Sequence, residues 1–561
     1  MLTKLSDYIR IALYVTLIIL SAVLFQAFEK EHVKSVATNS STQMETTSNN
    51  YVPAINSSHS STGAPLIENT PVTTSADHTV IHITTDVVRV DINPVGGNIV
   101  QVSLLNYPEA LHSKEPFLLL NDFPDTRYLA QSGLLSATGP DTTKGQAVYS
   151  TDQTDYVLSP DQNELQIKLH WQNAEGVKIT KIFTFQRDNY EIAVSYRIEN
   201  QSAQPWNGNL YLQLMRKNTP PPSTQGFVSF ATYFGAAISS PQKQFQKVTF
   251  KEMLQKNISQ KITGGWAAMV QHYFVSAWVP DKNMPADYFS RVMPDGLYVI
   301  GTIGPSINVL PGQSIETSAK FYAGPSITDR LEKVAPGLNL TIDYGLFWPI
   351  SILLFWMMQH IYNVLGNWGW SIVIVTLLIK LAFYHLSAKS YRSMSAMKNL
   401  QPRITALKER YGDDKQKFTQ ETLALYKKEK VNPMSGCLPI LVQIPVFIGL
   451  YWVLIESVQL RQAPFIFWIH DLSIKDPYYI LPLLMGLSMF LQQRLNPPPP
   501  DPMQAKIMLF MPVVFTVMFV NFPSGLMLYW FVNNTLSFLQ QWFIMHRMTK
   551  AEKAEKARKN K

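Results

Sequence analysis

Gly366-Asn-Trp-Gly-Trp-Ser-Ile-Val-Ile-Val-Thr-Leu-Leu-Ile-Lys-Leu-Ala-Phe-Tyr-His-Leu-Ser387 is long and apolar enough to cross a bilayer, yet it contains Lys380. A lysine at the centre of a membrane helix costs ~2.5 to 3.5 kcal/mol, so an intramembrane ionisable residue indicates a functional site. The alternative is snorkelling, because Ser387 lies roughly 10 Å of helix rise further on. The apolar run continues past the charge to Leu386, which favours a functional role.

Charge is distributed unevenly along the 561 residues. Residues 29–345 hold 23 Lys+Arg and 28 Asp+Glu, a net charge of −5, whereas residues 346–561 hold 23 and 11, a net charge of +12. The basic excess flanks apolar spans, where it indicates membrane topology, so we predict no nucleic-acid specificity. A single cysteine, Cys437, excludes an intrachain disulfide.

The N-terminal residues have the layout of a membrane anchor. Lys4 and Arg10 precede an apolar run that ends at Phe28. This run is longer than a typical signal-peptide core and no clear cleavage site precedes Glu29, so residues 1–28 are predicted to be an uncleaved transmembrane anchor. Residues 29–77, rich in Ser, Thr and Asn, are predicted to be a flexible linker.

Apolar and polar residues then alternate, which predicts strands separated by Gly, Asn, Asp and Pro turns. The clearest stretches are 80–92, 165–171, 178–185 and 191–198. We expect an all-β sandwich over residues 78–335. Its histidines have no metal-ligand spacing, so neither a metal site nor another cofactor is predicted.

Residues 346–365 are apolar and aromatic and end at Gly366-Asn367. They suit either a membrane span or a helix lying in the interface. We interpret them as an interfacial amphipathic helix, because a span would reverse the sidedness of everything after it.

Residues 388–436 carry eleven Lys+Arg and five Asp+Glu, which predicts a cytoplasmic segment. Apolar residues recur every three or four positions, Gly412 ends one helix and Asp413 and Asp414 can cap a second, so we expect a helical hairpin. Its charge is explained either by topology and a solvated face or by docking of a partner. Candidate residues for capturing such a partner are Arg403, Lys408, Arg410, Lys427 and Lys428.

The rest of the chain alternates apolar spans with short connections. After the first span and transmembrane helix 2 over 366–387, four spans are predicted at 437–457, 478–495, 506–521 and 525–545. A periplasmic loop at 458–477, a cytoplasmic loop at 496–505 and a basic cytoplasmic tail at 546–561 complete the layout. Six spans with both termini in the cytoplasm satisfy the charge bias.

Polar side chains within the last five spans distinguish them from simple lipid-facing helices: Thr376, Lys380, Gln443, Thr516, Asn533, Asn534, Ser537, Gln540 and Gln541. No Asp or Glu lies in the interior of a span, so Lys380 has no obvious countercharge. Small polar residues often only hydrogen-bond between helices, and this is the simpler interpretation of Thr516 and Ser537. Hydration of a hollow open to the cytoplasm would satisfy the ammonium.

Several motifs resemble, in order, those of YidC-type membrane protein insertases of the Gram-negative kind. They are Gly366-Asn-Trp-Gly, Gly412-Asp-Asp-Lys, Val431-Asn-Pro-Met-Ser-Gly-Cys-Leu-Pro, Arg461-Gln-Ala-Pro-Phe, Trp468-Ile-His-Asp-Leu, Asp476-Pro-Tyr-Tyr-Ile-Leu-Pro, Asp501-Pro-Met-Gln and Phe522-Pro-Ser-Gly-Leu-Met-Leu-Tyr. The resemblance is close over roughly residues 345–545 and extends to the anchor and β-domain by layout.

The resemblance implies an α-helical polytopic membrane protein with a large all-β periplasmic domain. A five-helix insertase core would be joined by the N-terminal anchor helix, a mutarotase-like β-super-sandwich and the cytoplasmic helical hairpin. It also implies a hydrophilic groove open to cytoplasm and lipid, contacted by clients at Lys380, Thr376, Gln443, Tyr529 and Trp530. The family's groove arginine falls on Lys380, which keeps the charge but loses the bidentate fork.

The expected function is insertion and folding of integral membrane proteins in the bacterial inner membrane, alone or with the Sec translocon, and not enzymatic catalysis. The expected partners are nascent membrane proteins, Sec components and the phospholipid bilayer, with ribosomes or targeting factors docking on the basic hairpin and tail. One alternative is a secondary transporter using the intramembrane lysine, although no internal repeat supports it. Another is an envelope carbohydrate enzyme, which would need paired carboxylates in the sandwich.

Overall fold

The computed structural model describes Pro53, Val431 and residues 79–142, 145–220, 232–412, 414–429, 438–496 and 502–559. The predicted anchor and nearly all of the predicted linker lie outside these residues. The described chain begins with a β-sandwich and continues into a set of helices.

The first sheet of the sandwich contains twelve strands within the described residues, nine of them in the order β16-β19-β20-β13-β5-β3-β2-β1-β9. β4 pairs with β3, β6 with β5, and β7 with β6. The strands are β1 (Ile81–Thr84), β2 (Val88–Asn93), β3 (Asn98–Pro108), β4 (Pro116–Leu120), β5 (Tyr128–Leu135), β6 (Asp141–Thr142), β7 (Gly145–Gln146), β9 (Asp155–Val157), β13 (Trp206–Lys217), β16 (Ser259–Thr263), β19 (Pro285–Val292) and β20 (Leu297–Val309).

The second sheet contains nine strands within the described residues, in the order β15-β14-β17-β18-β21-β12-β11-β10-β8. They are β8 (Ser150–Thr151), β10 (Glu164–Gln172), β11 (Val177–Gln186), β12 (Glu191–Asn200), β14 (Gly235–Ile238), β15 (Gln246–Val248), β17 (Ala267–Gln271), β18 (Phe274–Pro280) and β21 (Ser314–Pro325). Its central strands pair antiparallel, with Phe183 opposite Val194 and Val194 opposite Ala319.

The predicted sandwich is confirmed, and its core follows from the period of two. In β12, Ile192, Val194, Tyr196 and Ile198 are buried while the residues between them are more exposed. Two short helices were not predicted: α1 (Phe250–Gln255), which Thr249 and Glu252 close with a capping box, and α2 (Thr328–Val334).

A polar cluster interrupts the sandwich core at Lys181, which is fully buried. Its ammonium donates to the carbonyl oxygens of Gly96 at 3.1 Å and of Gly97 and Ser132 at 2.8 Å each. Asp141 is fully buried nearby and accepts from the Leu134 amide at 2.8 Å. All three ammonium protons therefore have backbone acceptors, as a buried lysine requires.

Nine helices follow within the described residues. They are α3 (Trp348–Leu365), α4 (Trp368–Ala382), α5 (Tyr384–Asn399), α6 (Gln401–Tyr411), α7 (Lys415–Lys428), α8 (Leu438–Glu456), α9 (Ile480–Leu495), α10 (Pro502–Phe519) and α11 (Ser524–Lys559). α4 packs against α3 and α11, α8 packs against α3, and α9 packs against α10 and α11. α10 begins within the predicted loop 496–505, and α11 continues through most of the predicted tail.

The stretch expected to form one helix over 366–387 is bent. α4 ends at Ala382, and α5 begins at Tyr384 with a change of direction of 67°. After the bend, Ala388 and Tyr391 of α5 pack against Ile544 of α11. Among the described residues no single helix has both the length and the hydropathy of a membrane span, whereas α4 and α5 together have them by length and composition.

α6 and α7 form a hairpin whose core contains Leu400, Ile404 and Tyr426. Asp414 accepts hydrogen bonds from the backbone N–H groups of Gln416 and Lys417, which caps the start of α7. The basic side chains lie on the exposed faces around this small core.

Candidate functional site

Lys380 lies in the last turn of α4 and reaches across to α11. Its Nζ donates a hydrogen bond to Ser537 Oγ at 2.6 Å, and Ser537 Oγ donates to the Asn533 carbonyl at 2.7 Å. No carboxylate lies within 4 Å of this ammonium among the residues that the structure describes. Lys380 is therefore a cation held by one neutral hydroxyl group.

A small hollow adjoins the lysine. Its walls include Lys380, Gln443 of α8 and Asn533 of α11, with apolar side chains from Ile379, Phe383, Leu386, Val442 and Val446. Its cavity volume of about 20 Å³ suits the centre of roughly one water molecule. The structure thus places Lys380 and Gln443, two of the predicted client contacts, at the same hollow.

Thr376 lies one turn before Lys380 but is turned into the helix. It is buried, and its hydroxyl donates to the Ile372 carbonyl at 2.7 Å. The side chain does not line the hollow described above. Thr376 is therefore packed between helices, and the polar part of the lining of the hollow comes from other residues.

Tyr529 and Trp530 do not line the hollow but belong to an aromatic cluster next to it, in which the Tyr529 hydroxyl lies beside the side chain of Gln443. The Trp530 ring lies 4.7 Å from Phe447 of α8 and 4.6 Å from Phe519 of α10, measured between centroids. Tyr529 is buried and lies 6.3 Å from Phe447. Because this cluster is nearer the Ser524 end of α11 than Ser537 is, it fills the bundle on that side of the hollow.

Two residues beside Lys380 were not among the predicted client contacts. Asn533 lines the hollow and Ser537 accepts the only hydrogen bond from Lys380 found among the described residues. Both appear in the sequence as polar residues of a span, four positions apart, so they share one helix face. That spacing was the available signal, but it does not reveal which helix the face meets.

The hairpin cations are in different situations. Arg403 forms an ion pair with Glu429 at 2.6 Å, which links α6 to α7. Arg410 lies 5.5 Å from the ring centre of Tyr411. Lys408, Lys427 and Lys428 are exposed. The pair of lysines at the end of α7 is therefore the more accessible part of this basic surface.

The 458–477 loop connects the helix ends on the far side of the bundle. Asn367, which caps α4, donates from its side chain to the Phe465 carbonyl at 3.3 Å. A Cβ atom on Gly369 would lie 2.0 Å from the Phe465 ring, so only glycine permits this close approach. The backbone N–H groups of Ser524 and Gly525 donate to Ile474 and Leu472 of the loop at 2.7 and 2.9 Å.

The same loop docks the β-sandwich. Arg461 donates from one terminal nitrogen to the carbonyls of Pro108 and Glu109 at 2.7 and 2.9 Å. Its guanidinium lies 5.5 Å from the ring centre of Phe117. His272 makes a 2.8 Å hydrogen bond from Nε2 to the Ile455 carbonyl, and burial lowers the pKa of this histidine to about 4. The imidazole is thus a neutral donor at pH 7.

A cleft of about 750 Å³ in the sandwich is the place where a carbohydrate enzyme would need its paired carboxylates. Its lining contains one carboxylate, Asp281, together with Lys282, Lys320 and Lys333. Paired carboxylates are the usual requirement for glycoside hydrolysis, and this cleft offers no pair. No cluster of three or more potential metal ligands occurs in the described part of the chain.

Comparisons with known proteins cover nearly the whole described chain. Residues 80–357 match the model of the YidC periplasmic domain, and residues 360–552 match that of the 60Kd inner membrane protein family. The membrane protein insertase YidC of Pseudomonas entomophila strain L48 is 49% identical over 504 residues, covering 90% of this chain and 89% of the relative. The same protein of Pseudomonas fluorescens strain Pf0-1 is 47% identical over 535 residues, 95% of each chain.

Solved structures give weaker matches. A crystal structure of active YidC insertase with its first transmembrane domain resolved has a TM-score of 0.39 at 18% identity, covering 83% of this chain and 92% of that one. A galactose mutarotase related enzyme from Lactobacillus acidophilus has a TM-score of 0.31 at 11% identity, covering 44% and 97%.

The family matches and the sequence identity to curated relatives agree in both halves of the molecule. They identify the sandwich as a periplasmic domain and the helical part as that of an inner membrane protein. The curated relatives are insertases and not enzymes. The chain belongs to the YidC family of membrane protein insertases.

Proposed function

We propose that clients are inserted at the hollow beside Lys380. The observation that carries this proposal is the ammonium with a single neutral hydrogen-bond acceptor, next to polar side chains from α8 and α11. A cation in this situation retains the capacity to attract an acidic residue of a client segment that passes through. Lys380 and Gln443 would contact the client first, and Thr376 would join them if its hydroxyl turned outward.

Short helices would further lower the free-energy barrier for moving a client's polar segment across the bilayer. α4 has 15 residues, about 23 Å of helix, and α9 has 16, about 24 Å. Both fall short of the ~30 Å hydrocarbon core of a typical bilayer. A bilayer that thins around them would shorten the apolar path that a client's polar segment crosses.

The client's apolar segment would leave between α8 and α10. Exposed apolar side chains on these helices face away from the bundle: Leu441, Ile444, Ile507, Phe510, Val513, Val514 and Val517. Trp530 lies between the two helices, because its ring contacts Phe447 of α8 and Phe519 of α10. Tyr529 and Trp530 would therefore touch the client's apolar part and close the hollow towards the periplasm.

The proposed topology has six spans, with both termini in the cytoplasm. The anchor at 1–28, the bent α4–α5 pair, α8, α9, α10 and the first part of α11 would be the spans, and α3 would lie in the interface. The basic hairpin and the tail after His546 would then both face the cytoplasm. This arrangement leaves the sandwich in the periplasm, where the family has it.

We further propose that the hairpin captures nascent clients. Lys427 and Lys428 are exposed at the end of α7, and the apolar core beneath them fixes their position. Such a surface would attract acidic segments or ribosomal RNA electrostatically. The partners that we expect to bind at this surface are ribosomes, targeting factors and the Sec translocon.

Reconstitution tests both proposals. The purified chain in liposomes should insert a small single-span client without added energy source, and a chain lacking residues 398–430 should crosslink less client while remaining in the membrane. If the deletion changes neither crosslinking nor insertion, the hairpin serves topology alone. If the intact chain does not insert the client, insertion at this site requires a further component.

A further inference from the structure

Lys380 could in principle leave the hollow. It lies in the last turn of α4, the chain bends immediately after it, and Leu381, Phe383 and Tyr384 nearby are exposed. A lysine so close to a helix end can turn its long side chain towards the headgroups. If the Lys380 ammonium is to attract clients in the hollow, a contact must hold it between the helices.

The hydrogen bond to Ser537 is the contact that does so. Lysine has no acceptor, so the 2.6 Å contact fixes the serine oxygen as acceptor. The serine proton is directed elsewhere, to the Asn533 carbonyl at 2.7 Å. The hydroxyl therefore presents a lone pair to α4, and it is buried, which excludes competition from bulk water.

The two helices on either side of the bend pack against the helix that carries Ser537. α4 packs along α11, so Ser537 faces Lys380 across a close helix contact. The buried Tyr391 of α5 also lies beside the Ser537 side chain. The acceptor is thus held by α11 and neighboured by the helix that follows the bend.

We propose that Ser537 is a positioning residue that holds the Lys380 ammonium in the hollow and so allows it to attract acidic client segments. This inference rests on the proposed function of Lys380 and adds a specific residue to it. A hydrogen bond to a charged group typically shifts an equilibrium by about tenfold or more. Without the hydroxyl, the held position of the ammonium should be depopulated to that extent.

The test uses a matched pair of variants, Ser537→Thr and Ser537→Val, which have nearly the same shape and differ in the hydroxyl. The full chain is reconstituted in liposomes with two single-span clients, one with two Asp residues in its translocated segment and one with two Asn residues. The readout is the ratio of acidic to neutral client inserted. Thr should keep the wild-type ratio, whereas Val should lower it severalfold, in the direction of Lys380→Met.

Lys380→Met separates this inference from the proposal on which it rests. If Lys380→Met leaves the ratio unchanged, the charge role of Lys380 fails. If Lys380→Met lowers the ratio but Ser537→Val does not, only the positioning role of Ser537 fails. In the Lys380→Met background, Ser537→Val should change nothing further, since the two residues act through one contact.

A structural defect would look different. If Ser537→Val lowers insertion of both clients equally, or still lowers it when Lys380 is Met, the serine supports the fold alone and the inference is wrong. Ser537→Ala removes the hydroxyl without adding bulk, so it controls for steric effects of the larger Val side chain. It should give the same ratio of acidic to neutral client inserted as Ser537→Val does. A wild-type ratio for Ser537→Ala would contradict the inference.

Discussion

The β-sandwich and the helical bundle each enclose a lysine, but they satisfy its ammonium group differently. Lys181 is fully buried and donates to three backbone carbonyls, so no proton remains for another partner. Lys380 is only partly buried and donates to one hydroxyl, next to a hollow. The first arrangement is complete within the protein, whereas the second leaves capacity for a ligand.

The surroundings of Lys181 reinforce the contrast. Asp141 lies in the same cluster and accepts from the Leu134 amide and from Gln146 Nε2 at 2.8 and 3.0 Å. Burial raises the pKa of the Asp141 carboxyl to about 6 and lowers the pKa of Lys181 to about 7, and each charge opposes the other's shift. The two lysines differ in burial and in their number of acceptors, and the number of acceptors determines how many ammonium protons remain for a ligand.

The largest effect on stability is expected for Lys181→Met. It removes the ammonium while the three carbonyls and Asp141 stay buried, which should lower the free energy of unfolding of the sandwich by about 3 to 5 kcal/mol. The measurement is the urea concentration at which the sandwich becomes protease-sensitive in proteoliposomes. Lys320→Met is the control, because Lys320 is half exposed and its 3.1 Å ion pair with Glu191 should contribute less than about 1 kcal/mol. If Lys181→Met and Lys320→Met lower the free energy of unfolding equally, the buried ammonium of Lys181 is no more important for stability than an exposed one.

Arg461→Ala should have the next largest effect, on docking between the two regions. It removes two hydrogen bonds from a charged donor and the contact with Phe117, which should weaken docking by about 1.5 to 3 kcal/mol. Hydrogen exchange of residues 106–110 should accelerate, while the interior strands of the sandwich stay protected. Arg461→Lys keeps the charge but loses the planar guanidinium next to the Phe117 ring, so its docking should be weaker than that of the wild type and stronger than that of Arg461→Ala. Unchanged exchange at 106–110 would show that other contacts hold the domains together.

A smaller, pH-dependent effect is expected at His272. The pKa of the docked imidazole is depressed to about 4 from the ordinary value near 6.5, chiefly by burial. The docked state therefore binds fewer protons, and its stabilisation is complete above pH 6.5 and is lost as pH falls through about 4. Exchange at the interface, corrected for intrinsic rates, should rise over that window. His272→Gln keeps a donor for Ile455 but does not titrate, so its profile should be flat; the same slope in both proteins would contradict the assignment.

The smallest effect on stability is expected for Lys380→Met. Lys380 forms no ion pair among the described residues, and replacing it by an apolar side chain of similar length removes the cost of holding a charge within an apolar span. The resistance of the helical part to urea and protease should be unchanged or slightly raised, in contrast to Lys181→Met. A loss of several kcal/mol would mean that Lys380 is a structural lysine as well.

The sequence predicted the sandwich where one face of a strand is buried, as in β12, but not where both faces are. β5 is buried at every position, including Gln131 and Ser132, so it has no alternation to detect. Lys181 shares a strand face with Ile179 and Phe183, so the period of two places it in the core, although a charged side chain is not expected there. Its acceptors, Gly96, Gly97 and Ser132, are distant in sequence, and no local pattern predicts such a meeting.

The candidate site shows the same limit. Lys380 could be found because a charge in an apolar run is unfavourable and therefore conspicuous. Gln443 came from the resemblance and does lie at the hollow, whereas Thr376, Tyr529 and Trp530 do not line it. Ser537 is 157 residues from Lys380, so its selection among the eight other polar residues of the spans required the packing of α4 against α11.

The most direct test of the central claim is the insertion of matched acidic and neutral clients by chains with Lys, Arg or Glu at position 380. A unit charge pair at ~4 Å with an effective dielectric near 20 is worth about 4 kcal/mol before desolvation, so the sign of the charge should dominate. We expect Lys380→Arg to retain insertion of both clients and Lys380→Glu to lose the acidic client far more than the neutral one. If Lys380→Glu inserts both clients as well as the wild type does, the intramembrane charge has no part in insertion.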